Sequence, residues 1–567
     1  MNKLNARRPG AGSASGFVSQ PEPRTIGSFA RGRQLCAGNF LFAGFLVEAP
    51  GSDIWDIPMP DGVFEAEVHG FGWLDDLAAV GDFASQKAAQ EWTYGWINRF
   101  GAGTGPGWTP DLAGRRLVRW INHAILLLNG ATPEQQSAFF AVLARHTAFL
   151  SRRWKVASPG LPRFEALTGL AYAGISLTGM QKHLRAAIEA LDKECASGID
   201  AEGGVPSRNP EELLDVFELL TWDVSALSAE GRVAGPNLVK AVERIAPTLR
   251  ALRHADGGLA RFHGGGKGQE GRLDQALATS GIKSVRTDGL AMGFARVAHG
   301  RTTLIVDAAP PPTGEASINA HASTLAMELT SGRRALIVNS GSGSTFGKSW
   351  RRAGRATPSH STLCIEGFSS SRLTKAAEQS GRAREIMSEV PSEVTAQFAP
   401  DESGTALRLS HDGYLGSHGL LHTRWLRLSM DGRNLTGEDL IEVPGASARR
   451  VFDRQVDASG LKGISFAVRF HIHPDVNVEL DLGGTAISMG LKSGEVWIFR
   501  HDGQAQLAIE SSVFLEKGRL SPRTAKQIVL SGVATDYATR IGWTLSKAQD
   551  TPTNVRDYEL DDTFALD

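Results

Sequence analysis

Cysteine is scarce. The 567 residues contain three, Cys36, Cys195 and Cys364, far apart and without CxxC spacing, which excludes a disulfide framework and a cysteine-based zinc ribbon and fits reduced thiols. An excess of one charge sign is also missing. Lys plus Arg (60) balance Asp plus Glu (61) to a net charge of −1, which removes any bulk case for a nucleic-acid-coating protein. The apolar run over residues 37–47 is broken by Gly38, Asn39 and Gly44 and is too short to cross a bilayer, so no membrane span is expected. Residues 1–34 carry basic side chains but no continuous apolar core followed by a small-residue cleavage site; they are read as a mobile or loosely docked tail of a cytoplasmic protein. No GxGxxG follows a strand and opens a helix, and no Walker A lysine occurs, so nucleotide chemistry has no support.

Apolar (41%) and charged (21%) fractions are those of a globular chain, and its length allows two large domains or more. From about 85 to 282, apolar positions recur every three or four residues, predicting about seven helices: 85–100, one opening at Pro110 with Asp111 as its cap, one from Thr132, then 164–176, 179–195, 209–227 and 236–252. Thr132-Pro-Glu-Gln supplies a capping box. Trp92, Trp96, Trp120 and Trp222 place aromatics on both flanks of their helices, as expected for helix pairs that close into a ring. Trp73, Trp92, Trp96 and Trp108, with Tyr94, are core or a sugar-stacking wall.

Beyond about 283 the period becomes two, in 284–292, 302–308, 323–330, 334–341, 463–474, 476–482, 495–500 and 504–512, which predicts antiparallel strands. The expected fold class is therefore multidomain α and β, an incomplete (α/α) toroid followed by an antiparallel β-sandwich. The predicted divisions are a tail at 1–34, an extension at 35–84 packing on the toroid, the toroid at 85–285, the sandwich at 286–550 and a tail at 551–567. Each half is expected to have its own core, and the two to meet along a cleft.

Several side chains suit chemistry at such a cleft. Arg351, Arg352 and Arg355 follow Trp350, and their guanidinium forks match carboxylate or sulfate. His411 and Tyr414, in SHDGY, sit at a strand end. His471 and His473 share a strand face, as a metal pair or an exterior polar pair. Glu211, Glu212 and Glu328 raise glycosidase chemistry by two carboxylates, although adjacent Glu211 and Glu212 diverge by about 100° on a helix.

The order of ring then sandwich, with WRRAGRATPSHSTLCIEG (350–367), NAHASTLAMELTSGRRALIVNSG (319–341) and SGIDAEGGVPSRNPEELL (197–214), resembles the heparinase II/III-like polysaccharide lyases over roughly residues 35–545. The resemblance implies β-elimination on an acidic, uronate-containing polysaccharide or oligosaccharide held between the domains. Such a site needs a carboxylate neutraliser, a base and an acid. The family's first catalytic His falls on Asn319, which can hydrogen-bond a carboxylate but cannot act as a base. Its histidine in the ring segment falls on Val205, leaving Asn209 as the nearest polar substitute and Arg208 retained as a substrate contact; Asn209 also reads as a helix cap. The stretch matching the family's catalytic tyrosine, 256–268, holds His263 instead, and Tyr414 is a candidate displaced tyrosine.

The family's zinc positions fall on His321, Asn339 and His360, so the resemblance implies one structural zinc, weakened by the neutral amide and removable by moderate chelation. Loss of Asn209 or Asn319 to Ala is expected to lower any elimination by roughly 10²-fold. Two further readings remain open, a non-catalytic glycan-binding or scaffold protein on the same fold, and a glycosidase on an α/α ring.

Overall fold

The computed structural model describes residues 14–285, 289–375 and 385–548. The long helices fall where apolar periodicity places them: Phe83–Phe100, Pro110–Asn122, Pro133–Arg153, Leu161–Ser176, Leu184–Gly198, Pro210–Ala229 and Pro236–Ala251. Thr132 and Gln135 form the expected capping box, through bonds of 3.3 and 2.9 Å. The cap ahead of Pro110 is Thr109; Asp111 lies inside the first turn, where a carboxylate faces the positive end of the helix dipole.

Of the expected mobile or loosely docked tail, the described part is docked. Residues 1–13 lie outside the described residues, but from Ala14 onward the chain is docked. The Val18 N–H donates to Ser176 O at 2.8 Å, and Ser28 caps helix Phe29–Cys36 while its own N–H donates to Asp76 Oδ1 at 2.8 Å. Gly27 is required there, because a Cβ would lie 1.8 Å from Asp75 O. Residues 35–84, expected to pack on the toroid, do so as part of its core. Phe40, Phe64, Phe71 and Trp73 share one core with Trp92, Trp96, Trp108 and Trp120. These tryptophans are core residues, and all but Trp73 lie away from the ring's cavity described below.

The second half is two antiparallel sheets packed face to face. One runs Val394–Asp401, Gly404–Tyr414, Leu420–Ser429, Asn434–Glu442, Ala538–Lys547, Val496–His501, Ala486–Gly490, Asn477–Asp481. The other runs Gln506–Phe514, Arg523–Ala534, Ile464–Ile472, Arg334–Val338, Met327–Ser331, Thr302–Asp307, Phe294–His299, with Leu363–Ile365 also on Ile464–Ile472. Alternation turns Leu407, Leu426 and Leu545 of the first sheet onto Val468, Phe470 and Leu530 of the second. The predicted strand at 284–292 is absent from its described residues; pairing starts at Phe294.

The halves do more than meet along a cleft. A cluster of ring residues, Leu214, Phe217, Leu249 and Phe262, continues into Phe294, Ile305 and Ala326 of the sheet. The junction is thus partly a shared apolar core.

Candidate functional site at the junction

Arg208 is the polar centre of that junction. It sits at φ +51° just before helix Pro210–Ala229, and its guanidinium donates to Asp307 Oδ1 (2.6 Å) and to the carbonyls of Met292, Gly293, Ala309 and Pro310 (2.7–3.1 Å). With every nitrogen engaged by the fold, Arg208 holds the halves together and does not contact substrate as the resemblance implied. Burial alone would raise the Asp307 carboxyl, but Arg208 and His263 hold it well below the usual range.

His263 is also in this joint, which overturns its reading as a proton-transfer group facing substrate. Its side chain is 0% exposed, its Nε2 faces Asp307 Oδ2 at 3.4 Å, and its Nδ1 accepts the His321 N–H at 3.2 Å. Burial lowers its pKa, outweighing the pull of Asp307. Through Nδ1 the buried imidazole fixes the sheet-side turn to the ring-side loop, while its Nε2 stands near Asp307 without a hydrogen bond.

The glycines after His263 explain how Asn209 and Asn319 come together. A Cβ on Gly264 would lie 2.9 Å from Asn319 Cβ, and one on Gly265 would lie 2.5 Å from Asn209 Oδ1, so both asparagines press on this backbone from opposite domains. The glycines leave room for these side chains. Asn209 caps its helix as expected, its Oδ1 accepting from the N–H groups of Glu211 (3.0 Å) and Glu212 (3.3 Å). Asn319 is exposed, and its Oδ1 accepts from Arg351 at 3.1 Å.

Glu211 and Lys517 complete the group. Lys517 Nζ and the Gly266 N–H donate to Glu211 Oε2 at 2.6 and 2.8 Å. Burial would raise the Glu211 carboxyl, but Lys517 and Gly266 hold it low. This pair joins residues 306 positions apart, and Lys517 has no local sequence signal.

The expected zinc ligands are half assembled. His321 Nδ1 and His360 Nε2 are 3.0 Å apart, and His360 Nδ1 lies 2.9 Å from Ala356 O. That fixes the tautomers: Nδ1–H of His360 donates to the carbonyl, and its bare Nε2 accepts from His321. Burial lowers His360 to about 4 and His321 well below its ordinary value, so the pair is neutral. Asn339 is engaged elsewhere, its Oδ1 accepting the Ser361 N–H at 3.0 Å. Among the described residues no three His, Cys, Asp or Glu side chains are placed to hold a metal ion. His321 and His360 are close enough to share one ion, whereas the Asn339 Oδ1, expected as a further ligand, already accepts from Ser361.

The remaining candidates leave the cleft. Tyr414 is fully buried in the sandwich core, its hydroxyl donating to Leu363 O at 3.3 Å, and burial raises it well above its usual pKa. His411 begins a buried chain: Nε2 to His422 Nδ1 at 3.2 Å, His422 Nε2 to Asp439 at 2.8 Å, and Asp439 to Arg424 at 2.8 and 3.0 Å. It is a link in the sandwich, not a substrate contact. Arg355 is buried on Ala320 O, Ser317 O and Glu385 O, and Arg352 pairs with Glu385; of the three arginines, Arg351 alone reaches Asn319. His471 is buried between Ser512 and Pro358 O, so the histidine pair is not exterior. Glu328 is buried on His254 and the Arg261 N–H, which removes it as a glycosidase carboxylate.

Inside the ring lies a cavity of about 330 Å3 lined by six carboxylates and four arginines, with Trp73 and Trp222. The arginines are paired: Arg115 with Glu165 (2.5 Å), Arg119 with Asp75 (3.1 Å), Arg272 with Asp215 and Glu218 (2.8 and 3.0 Å), and Arg31 with Asp76 (3.7 Å). Burial pushes Glu165 up to about 7 against the pull of Arg115. These residues are scattered over 25–272, so only folding reveals the cavity. Its charge favours neither a polyuronate nor a sulfated chain.

A helical ring joined through a shared core to a two-sheet sandwich is the architecture of heparinase II/III-like proteins, and residues 283–544 match the family described as heparinase II/III-like, C-terminal. Residues 283–544 are similar in sequence to that family, and the chain as a whole shares the fold of the solved heparinases. It is 12% identical to heparinase III, covering 96% of this chain and 88% of that one at a TM-score of 0.69. It is 13% identical to a mutant of the heparan sulfate lyase HepC from Pedobacter heparinus, covering 97% and 88% at a TM-score of 0.58. A curated relative, FtsZ-localized protein C of Caulobacter vibrioides (strain NA1000 / CB15N), is 28% identical over 541 residues, 94% of this chain and 91% of that protein.

Proposed function

We propose that this chain is a lyase-fold protein that acts in the cytoplasm by binding, in association with FtsZ assemblies, and not by eliminating a glycan. The observation that carries this reading is the placement of His263 and Tyr414. Both are fully buried inside the fold, where neither is open to supply the base or acid that elimination requires. The acid-lined ring cavity adds to it, since a uronate chain would meet an excess of carboxylates. The partner is taken from FtsZ-localized protein C, whose match spans nearly the whole of both chains. The test is sedimentation of the purified chain with GTP-assembled FtsZ of its own organism: enrichment in the pellet supports the reading, and a chain left in the supernatant contradicts its partner.

A second reading has its own observation. Asn209, Asn319 and Arg351 meet at the glycine loop, an arrangement able to hold a carboxylate. On that reading the chain binds, or slowly cleaves, an acidic oligosaccharide at the cleft.

A further inference from the structure

The sheet face that packs on the ring carries a second concavity at the far end of its strands. In the pairing of Phe294–His299 with Thr302–Asp307, Arg296 lies opposite Ile305 and Ala298 opposite Thr303. Ile305 belongs to the shared core, so Arg296, Ala298 and Thr303 lie on that same face. Thr303 is four residues along the strand from Asp307, about 13 Å away, which separates this place from the Arg208 joint. The concavity has a volume of about 520 Å3, within the range of small-molecule sites. Three arginines line it, Arg296, Arg301 and Arg333, and among the described residues no carboxylate does.

Two of the arginines are poorly neutralised. The Nε of Arg296 is buried without a hydrogen-bond partner, and burial lowers its pKa with no carboxylate opposing the shift. Arg301 comes no closer than 3.7 Å to Glu495, a carboxylate already held by Lys547 at 3.1 Å and by Ser331. Its guanidinium lies over Gly332, where a Cβ would come within 2.5 Å of it, so the glycine leaves the fork room to lie flat across the turn. Arg333, next in the chain, is exposed. Three guanidiniums in one concavity repel one another, and a buried N–H without an acceptor is costly. An oxyanion would relieve both, through the short charge-assisted bonds that guanidinium forks form with phosphate or sulfate.

We propose that this concavity binds a tetrahedral oxyanion, a phosphate or sulfate group carried on a small molecule. Its volume exceeds that of the bare ion, so the organic part lies against Ala255, Ala298 and Thr303. The site is separate from the cleft.

The test is calorimetric titration of the full chain at low ionic strength with inorganic pyrophosphate, phosphate, sulfate and glucuronate. Saturable binding of pyrophosphate, phosphate or sulfate at about one per chain is expected, with Arg296→Gln and the exposed Arg333→Gln each weakening it at least about tenfold. Lys517→Gln, at the cleft, is expected to leave it unchanged. Absence of saturable binding by all three inorganic anions would overturn the proposal, as would binding insensitive to Arg333→Gln or lost in Lys517→Gln. Glucuronate binding as tightly as phosphate would overturn the tetrahedral class.

Discussion

Arg208 and Asp307 meet at 2.6 Å across 99 residues of chain, one from the ring and one from the sandwich. Ser323 holds the other carboxylate oxygen of Asp307 and His263 stands beside it, so the ion pair anchors a network that reaches His321 and, through it, His360. Removing one partner of a buried pair leaves the other charge uncompensated. Arg208→Met is therefore expected to destabilise the protein by about 3–5 kcal/mol, read as a lower midpoint in urea unfolding. A loss below about 1 kcal/mol would show that the joint rests on its apolar contacts alone.

The neutral histidines set a pH dependence. His360 is lowered to about 4 and His473 to about 4, in each case by burial, while unfolded histidine titrates near 6.5. Below pH 6.5 the unfolded chain takes up protons that the folded chain does not. Their stabilisation is complete above about 6.5 and is lost as pH falls toward about 4, before most carboxylates protonate. Denaturant titrations between pH 7.5 and 4.5 should show stability falling on acidification. A flat profile over that window would contradict the buried, neutral assignment.

Gly265 tests the glycine loop. Ala there would drive a methyl into Asn209 Oδ1, which lies 2.5 Å from the Cβ position. Overpacking of this kind costs about 1–3 kcal/mol. The double variant Gly265→Ala, Asn209→Gly should recover much of the loss, because Gly also serves as a helix cap at a cost of a few tenths of a kcal/mol. Thermal unfolding of the three proteins checks it, and an unaffected single variant would mean that the two residues do not touch.

Architecture was legible in the sequence because it depends on local periodicity: seven long helices and the later strands follow from spacing alone, and Thr132-Pro-Glu-Gln names its own cap. The joint and the cavity were not legible. Arg208, His263 and Asp307 become partners only through contacts spanning tens of residues, and the carboxylates of the ring cavity come from four separate helices. A family position also misled where the residue type was kept but its surroundings changed: Arg208 was retained yet faces five groups of the fold. Tyr414, offered as a displaced tyrosine, closes the sandwich instead of the cleft.

Metal removal separates the His321–His360 contact from a zinc site. With Asn339 engaged by Ser361, chelation should leave the melting temperature unchanged, and elemental analysis should find zinc well below one per chain. A fall in melting temperature on chelation, reversed by zinc, would restore the metal.

The central claim is that the lyase fold here works without elimination. The most direct measurement is the ultraviolet absorbance of an unsaturated uronate product while the purified chain is incubated with a panel of uronate oligosaccharides. The placement of His263 and Tyr414 predicts no growth in absorbance above a protein-free control for any member of the panel. Growth that falls roughly 10²-fold in Asn209→Ala or Asn319→Ala, with the fold intact, would contradict the account and make the glycine-loop cleft an active site.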